Sequence, residues 1–387
     1  MVSSNQRLDQ AIDKHAQFYS DTADEYDMYL KGNYDKNYRE RRSQWNEHYE
    51  HMRAEFNAHI MSMADLGIPR KDMGLAIVGP GMKPIGRELG NTAVRGVLPE
   101  VKDLVVIDFS TEVVRNAMEQ IREKVKGVDS MYGMQFDLTK GLSSAYDRMI
   151  AERLKNIETE KDFYEMAKEF DDLSPEALSI LLADHLGMIW EEKADEGSQP
   201  VPDVLIGGKI NEENTLSLSS NGEPVPIHTW FMPMVLAGMG AAAEHRIWDQ
   251  FETVTSDVNR GAEKNTEETV ENRITAIQRV YNLIARFNTI VATRSINKIL
   301  DDNPESRILA VSDVSTVLHK KGTGALPRLN LDTIRTDLSK NNITMITADT
   351  DWQWPDEPDH HHGVNAFTFY RRKQSTSPTE VPDMQNG

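Results

Sequence analysis

At 387 residues the chain has room for two domains or one enlarged one, and its 39% hydrophobic and 27% charged residues mark a folded, globular protein. The formal net charge of −19, from 62 acidic against 43 basic residues, repels phosphate backbones and anionic headgroups and sets nucleic acid and membranes aside as partners. With no cysteine, disulfides, thiolate metal sites and cysteine nucleophiles are excluded.

Met1 to Gln10 is polar and lacks the apolar core of a signal peptide, so a cytoplasmic location is expected. Up to about residue 70 the chain is polar with scattered aromatics, and Trp45, Tyr49, Met52 and Phe56 recur at helical spacing. This part is expected to form helices lying over the rest of the protein as a lid. At Gly74 the character changes. Gly74-Leu-Ala-Ile-Val-Gly79-Pro80-Gly81 suits a buried parallel strand breaking into a tight turn, and Leu104-Val-Val-Ile-Asp108 a second strand. With a helix expected between them, from Ile85 to Val97, they form a βαβ unit. A helix from Thr111 to Lys126 and a strand ending near Phe136-Asp137 continue the rhythm.

From residue 140 to 285 that rhythm is lost. Long charged amphipathic stretches, Tyr146 to Phe170 and Glu267 to Ile284, predict a large, mostly helical insertion that would hold the substrate region. Within it, the Ser219-Ser-Asn-Gly222 turn predicts a hairpin. The apolar run Trp230 to Ala243 falls short of the ~20 residues that span a bilayer and contains Pro233; it reads as a buried core helix or the lining of a pocket. Beyond it, Phe287 to Thr293 is expected as a strand, Pro304 to Leu318 as a helix, and Gly324 to Leu329 as a strand. Next are expected a helix from Leu331 to Ser339 capped by Asn330, then strands at Ile343 to Thr347 and Val364 to Tyr370. Residues 373–387 read as a disordered tail. The expected fold is thus α/β, a Rossmann-like, mainly parallel sheet formed by 71–139 and 286–372 with helices on both faces, preceded by a lid at 1–70 and interrupted by 140–285.

Three strand ends carry the chemistry. Glycines at 79 and 81 let a ligand approach the backbone at a helix start, or simply make a turn. Asp108 can accept both hydroxyl protons of a ribose, or cap the helix that begins at Thr111. Asp137 can reach an adenine amino group beside the sheet, or cap the helix that follows it. An ordered row of such ends is what a ligand at the carboxyl edge of a doubly wound sheet requires. Asp359-His360-His361-His362 suggests a metal at first sight, but adjacent histidines on regular structure do not converge, and no metal is expected. The loop expected to carry them, with Trp352 and Trp354, would leave the carboxyl edge near a substrate.

On these residues the chain resembles the class I S-adenosylmethionine-dependent methyltransferases. Leu75–Gly81, Val105–Ser110 and Met134–Leu138 look like the family's first three motifs, and Phe287–Leu300 with the His319–Gly322 turn like its fourth strand, helix and turn. The resemblance implies S-adenosylmethionine as cofactor, contacted by Gly79, Pro80 and Gly81 at its methionine portion, by Asp108, Phe109 and Ser110 at ribose, and by Asp137 and Leu138 at adenine. Tyr19-Ser-Asp-Thr-Ala-Asp-Glu-Tyr26 looks like the family's aromatic covering segment, so that Tyr19 and Tyr26 would face the sulfonium. Tyr26, His228 and Trp230 are the candidates for catalysis on a small-molecule substrate; the oligomeric state stays open. Ile77 departs from the family, which commonly has an acid two positions before the first glycine. Three alternatives remain: transfer or cyclisation of the aminocarboxypropyl arm, as in nicotianamine synthases; a non-catalytic cofactor-binding module; and a nicotinamide dinucleotide, whose pattern would need glycine at Pro84.

Overall fold

A computed structural model describes residues 54–56, 58–63, 65–80, 101–108, 111–124, 130–139, 141–194, 205–206, 209–210, 218–220, 223–233, 235–260, 267–318, 324–347, 352–355 and 360–372. The protein is α/β, built on a mostly parallel mixed sheet. Strand β1 (Gly74–Val78) and strand β2 (Asp103–Asp108) are buried at every position, as their unbroken apolar runs require. They pair in parallel, and β2 pairs in parallel with β3 (Ser130–Gln135). On the other side of β1 lies β8 (Thr229–Pro233), followed by β9 (Arg307–Leu318), both parallel to it. The sheet ends in two antiparallel strands, β13 (His360–Arg371) against β9 and β11 (Ile343–Thr347) against β13. Between β3 and β8 come the short β4 (Leu205–Ile206), antiparallel to β3, and a separate small sheet of β5 (Lys209–Ile210), β6 (Leu218–Ser220) and β7 (Glu223–Val225). The β6–β7 pair is the hairpin expected around 219–222.

The side-chain alternation of a strand sends neighbouring residues to opposite faces, and both faces are covered. Leu75, Ile77, Leu104, Val106 and Phe231 pack with Phe56, Ile60 and Met63 of the helical residues 54–63 and with Val114, Ala117 and Ile121 of helix α1 (Thr111–Lys124). Ala76, Val78, Val105, Ile107 and Trp230 face the larger core. That core is filled by α2 (Leu142–Leu154), α3 (Glu160–Asp171), α4 (Pro175–Ala194), α5 (Ala241–Arg260), α6 (Glu267–Asp302) and α7 (Leu331–Lys340). Local chemistry sets the starts of two of these helices. Thr159 and Asp162 form a reciprocal capping box at α3, and the Asn330 side chain accepts from the Thr333 amide at α7. Arg286 of α6 donates to the carbonyls of Phe170, Asp171 and Leu173, which ties α6 to the end of α3.

Four expectations are corrected. Phe287 to Thr293 is not a strand but the middle of α6, a single helix of 36 residues. Its buried residues Ile277, Val280, Ile284, Phe287, Val291, Ser295 and Ile299 keep a three-to-four spacing throughout, and no glycine or proline occurs between Gly261 and Pro304. Pro304 to Leu318 is not a helix: Pro304 ends α6, and the β-branched run that follows is β9. Thr229 to Pro233 is strand rather than helix, placed between β1 and β9, so the stretch 140–285 contributes a central strand and is not set apart as a helical insertion. Trp352, Trp354 and His360 to His362 are not in a loop; they lie in β12 (Trp352–Pro355) and β13, paired as Trp354 with His362 and Trp352 with Val364. By contrast, α7 and β11 fall where they were expected. The Ile85 to Val97 helix, the tail at 373–387 and the lid up to residue 53 lie outside the described residues.

One buried group makes stability depend on pH. His59 is buried, and neither ring nitrogen has a hydrogen-bond partner among the described residues. Burial first, and the neighbouring Arg307 guanidinium second, lower its pKa from 6.5 to about 4. The unfolded chain therefore takes up the proton first as pH falls. This contribution to stability is intact above about pH 6.5 and lost between there and about pH 4, amounting to about 3 kcal/mol. Denaturant unfolding at pH 7.5 and pH 5 should show a smaller pH dependence in His59→Leu than in the wild type. Equal dependence in both would remove His59 as its source.

Candidate active site at the carboxyl edge of the sheet

The chain runs outward through β1, β2 and β3, returns to the far side of β1 as β8, and runs outward again as β9. The strand order therefore reverses between β1 and β8, and in open α/β sheets a crevice forms outside the carboxyl ends at such a point. Gly79 follows β1 directly. Its backbone is left-handed, with φ +62, and its amide donates to the Ile107 carbonyl at 2.8 Å. A Cβ on Gly79 would lie 2.6 Å from Cγ2 of Val235, so the absence of a side chain lets the segment after β8 close onto the turn after β1.

Asp108 ends β2 and is 6% exposed; its carbonyl accepts from the Phe136 amide at 2.8 Å, which fixes the end of β3 beside it. Asp137 follows β3 and is half-buried. Its Oδ1 accepts from the Thr139 amide at 2.8 Å and hydroxyl at 2.7 Å, and its Oδ2 from the Gly141 amide at 2.8 Å. The Thr139 hydroxyl accepts in turn from the Ser143 amide at 3.3 Å, so the turn 137–143 caps α2. Of the two roles foreseen for Asp137, helix capping is thus occupied. Leu138 is buried, and its carbonyl faces the Ser295 hydroxyl of α6 at 3.4 Å.

Gly79, Pro80, Asp108, Asp137 and Leu138 thus lie along one edge, on three adjacent strand ends about 4.8 Å apart. Gly81, Phe109, Ser110, Tyr19 and Tyr26 lie outside the described residues. Two catalytic candidates lie away from this edge. His228 precedes β8 at the opposite, amino edge, where its Nδ1 accepts from the Gly74 amide at 3.0 Å. The length of β1, about 13 Å, separates it from Gly79. Burial, the larger influence, lowers the His228 pKa, while Asp103 and Asp72 oppose the shift. Trp230 is fully buried in mid-sheet, between Ala76 and Ile308, and lines no crevice. His360, His361 and His362 begin β13, whose backbone pairs with the overhanging end of β9.

The other side of this edge carries residues that the sequence did not single out. Because Pro233, the last residue of β8, is level with Val311, the rest of β9 overhangs the carboxyl edge together with β13, β12 and β10 (Ala325–Pro327). Beneath that overhang, Arg328 meets Glu244, in the first turn of α5, through two bonds of 3.0 and 2.7 Å, both side chains being almost fully buried. Beside them Tyr146 of α2 stacks on Phe287 of α6 with centroids 3.9 Å apart at 9°. Burial, and secondarily Glu244, push the Tyr146 phenol far above its usual value, so it stays protonated. Gly240 makes room for this stack: a Cβ there would lie 2.9 Å from Phe287 and 3.1 Å from Tyr146. Residues 84 positions apart in sequence form the ion pair, a relation no local pattern reveals.

The Gly79–Val235 contact is directly testable. Gly79→Ala should destabilise the protein through its backbone conformation, which costs about 1–2 kcal/mol for a residue with a side chain, and through collision with Val235. Val235→Ala should then restore part of the loss in the Gly79→Ala background while destabilising the wild type. A thermal-unfolding double-mutant cycle that is additive would show the two residues to be uncoupled. No model of a known protein family matches the chain, and a search of curated proteins finds no significant match.

Proposed function

We propose that the protein binds S-adenosylmethionine along the ends of β1, β2 and β3 and transfers its methyl group to a small molecule. The observation that carries this reading is the ordered row of Gly79, Asp108 and Asp137 at a switch point.

The residues present suit such a cofactor. Gly79, which has no side chain, would present its backbone to the methionine portion, with Pro80 beside it; Asp108 would offer a carboxylate to the ribose hydroxyls, and Leu138 an apolar surface to adenine. A carboxylate has about four acceptor sites. Three donors engage Asp137, which leaves it able to take one further amino proton. Ile77 packs in the core beneath the sheet, so no acid stands at that position and the methionine amino group must be recognised elsewhere. When bound, the cofactor supplies an electrophilic methyl group on a sulfonium. The protein's part is to bind, orient and exclude water, since in-line methyl transfer depends mainly on positioning.

Asp108→Asn should weaken S-adenosylmethionine binding by about 10- to 100-fold in calorimetry, as expected for loss of charged-acceptor hydrogen bonds worth about 1.5–3 kcal/mol. Unchanged affinity, or saturable binding of NAD in place of S-adenosylmethionine, would overturn the reading. Mass analysis of the turnover product separates the two reactions that share this cofactor: S-adenosylhomocysteine marks methyl transfer, and methylthioadenosine marks use of the aminocarboxypropyl arm.

A further inference from the structure

The segment after β8 is held in an unusual way. Its Ala237 is bound through backbone alone, yet by side chains from three different parts of the fold. The Ala237 amide donates to the Ser312 hydroxyl of β9 at 3.0 Å. The Ala237 carbonyl accepts from Asn288 of α6 at 3.1 Å and from Arg328 at 3.3 Å. Asn288 also donates to the Arg328 carbonyl at 3.2 Å, and the Arg328 amide donates to Val314 on the overhang of β9 at 2.8 Å. Ser312, Asn288, Arg328 and Glu244 are all buried. Two residues before Ala237 is Val235, which packs against Gly79 and whose carbonyl accepts from the Gly238 amide at 3.0 Å in the same turn.

We propose that the buried Glu244–Arg328 pair is a positioning device for the cofactor site: it fixes Ala237, and through Ala237 the Val235 side chain that backs the Gly79 turn. The inference rests on the S-adenosylmethionine reading for its ligand and on geometry for its mechanism. A buried ion pair is a poor source of stability, because desolvation offsets most of the attraction, and an apolar pair of similar volume is often as stable. What an apolar pair cannot do is aim a guanidinium. Glu244 occupies two of the Arg328 donors and so sets the plane of the fork, leaving a third donor directed at the Ala237 carbonyl. The pair also links the start of α5 to the end of β10, across the crevice wall, so the segment 235–240 is closed at both ends: by Ala237 and by the Glu244 amide, which donates to Gly240 at 3.0 Å. The wall behind the Gly79 turn is thereby rigid before any ligand arrives, which lowers the ordering cost of binding.

The test separates support of the fold from placement of the wall. Arg328→Met alone strands a buried carboxylate and should lower the melting temperature and weaken S-adenosylmethionine binding together. In Glu244→Leu with Arg328→Met the stranded charge is gone, so the melting temperature should return most of the way to wild type. Affinity should stay about tenfold weaker, and amide hydrogen exchange of residues 235–240 should stay faster. A double variant with both melting temperature and affinity at the wild-type level would overturn the proposal, as would unchanged exchange at 235–240. Should the double variant not fold, Ser312→Ala removes only the acceptor of the Ala237 amide: weaker binding with a modestly lower melting temperature is expected, because one buried donor loses its partner, and unchanged affinity overturns the proposal. Absence of S-adenosylmethionine binding by the wild type would defeat the cofactor reading instead, and the exchange comparison would still decide whether the pair fixes the segment.

Discussion

A parallel strand that is apolar on both faces and paired on both edges has only its ends left for chemistry, and β1 imposes that constraint on the whole protein. Every residue from Gly74 to Val78 is buried, with β2 on one side and β8 on the other. Two helical layers must therefore cover the sheet, one led by residues 54–63 and α1, the other by α2 to α7. The carboxyl ends of the strands remain, and there the chain must turn, expose backbone groups and place its polar side chains. The Gly79 turn, Asp108 and Asp137 occupy those ends because the interior cannot accept them.

The two sides of the switch point solve this problem differently. On the side of β1 to β3 the strands stop together, and a glycine or an acidic residue stands at each of their ends. On the other side β8 stops but β9 continues, paired with β13. The overhang creates a covered space above the edge in which polar groups can be buried, provided that each is paired. Ser312, Arg328, Glu244 and the Asn288 side-chain nitrogen bind one another and the Ala237 backbone, while the Asn288 side-chain oxygen has no partner among the described residues. The flush edge places its carboxylates at strand ends; the overhung edge gives a wall whose polar groups are spent on holding its own backbone.

The legible half of the site is the flush half. β1 and β2 could be read because each is a single unbroken apolar run bounded by glycine or aspartate, and Asp108 and Gly79 come at the ends of those runs. α7 could be read because Asn330 caps it locally. Phe287 to Thr293 misled because Ile290, Val291 and Thr293 have strand propensity, while the period that makes them helical needs the full length of α6 to become visible. β9 misled for the converse reason: Asn303-Pro304 resembles a helix start when the helix that it terminates is not recognised. The error on Phe287 then displaced the fourth parallel strand, which is Thr229 to Pro233, and with it the whole second wall. Glu244 and Arg328 carry no local signal, since what makes them partners is the return of β9 and β10 over α5.

Asp137 shows how two readings of one residue need not exclude each other. Its carboxylate is held by the Thr139 amide and hydroxyl and by the Gly141 amide, which fixes both oxygens in the turn that begins α2. A carboxylate free to rotate would lose conformational entropy on meeting a ligand; one already fixed by three donors has lost it during folding. In the proposed reading, the capping bonds that are the alternative to recognition would also serve it, because they orient the remaining acceptor site. The same logic governs Ala237 across the crevice, where the groups that fix the wall are withdrawn from the ligand. In both places the protein commits polar groups to its own backbone first, and what faces the crevice is set by what that commitment leaves over.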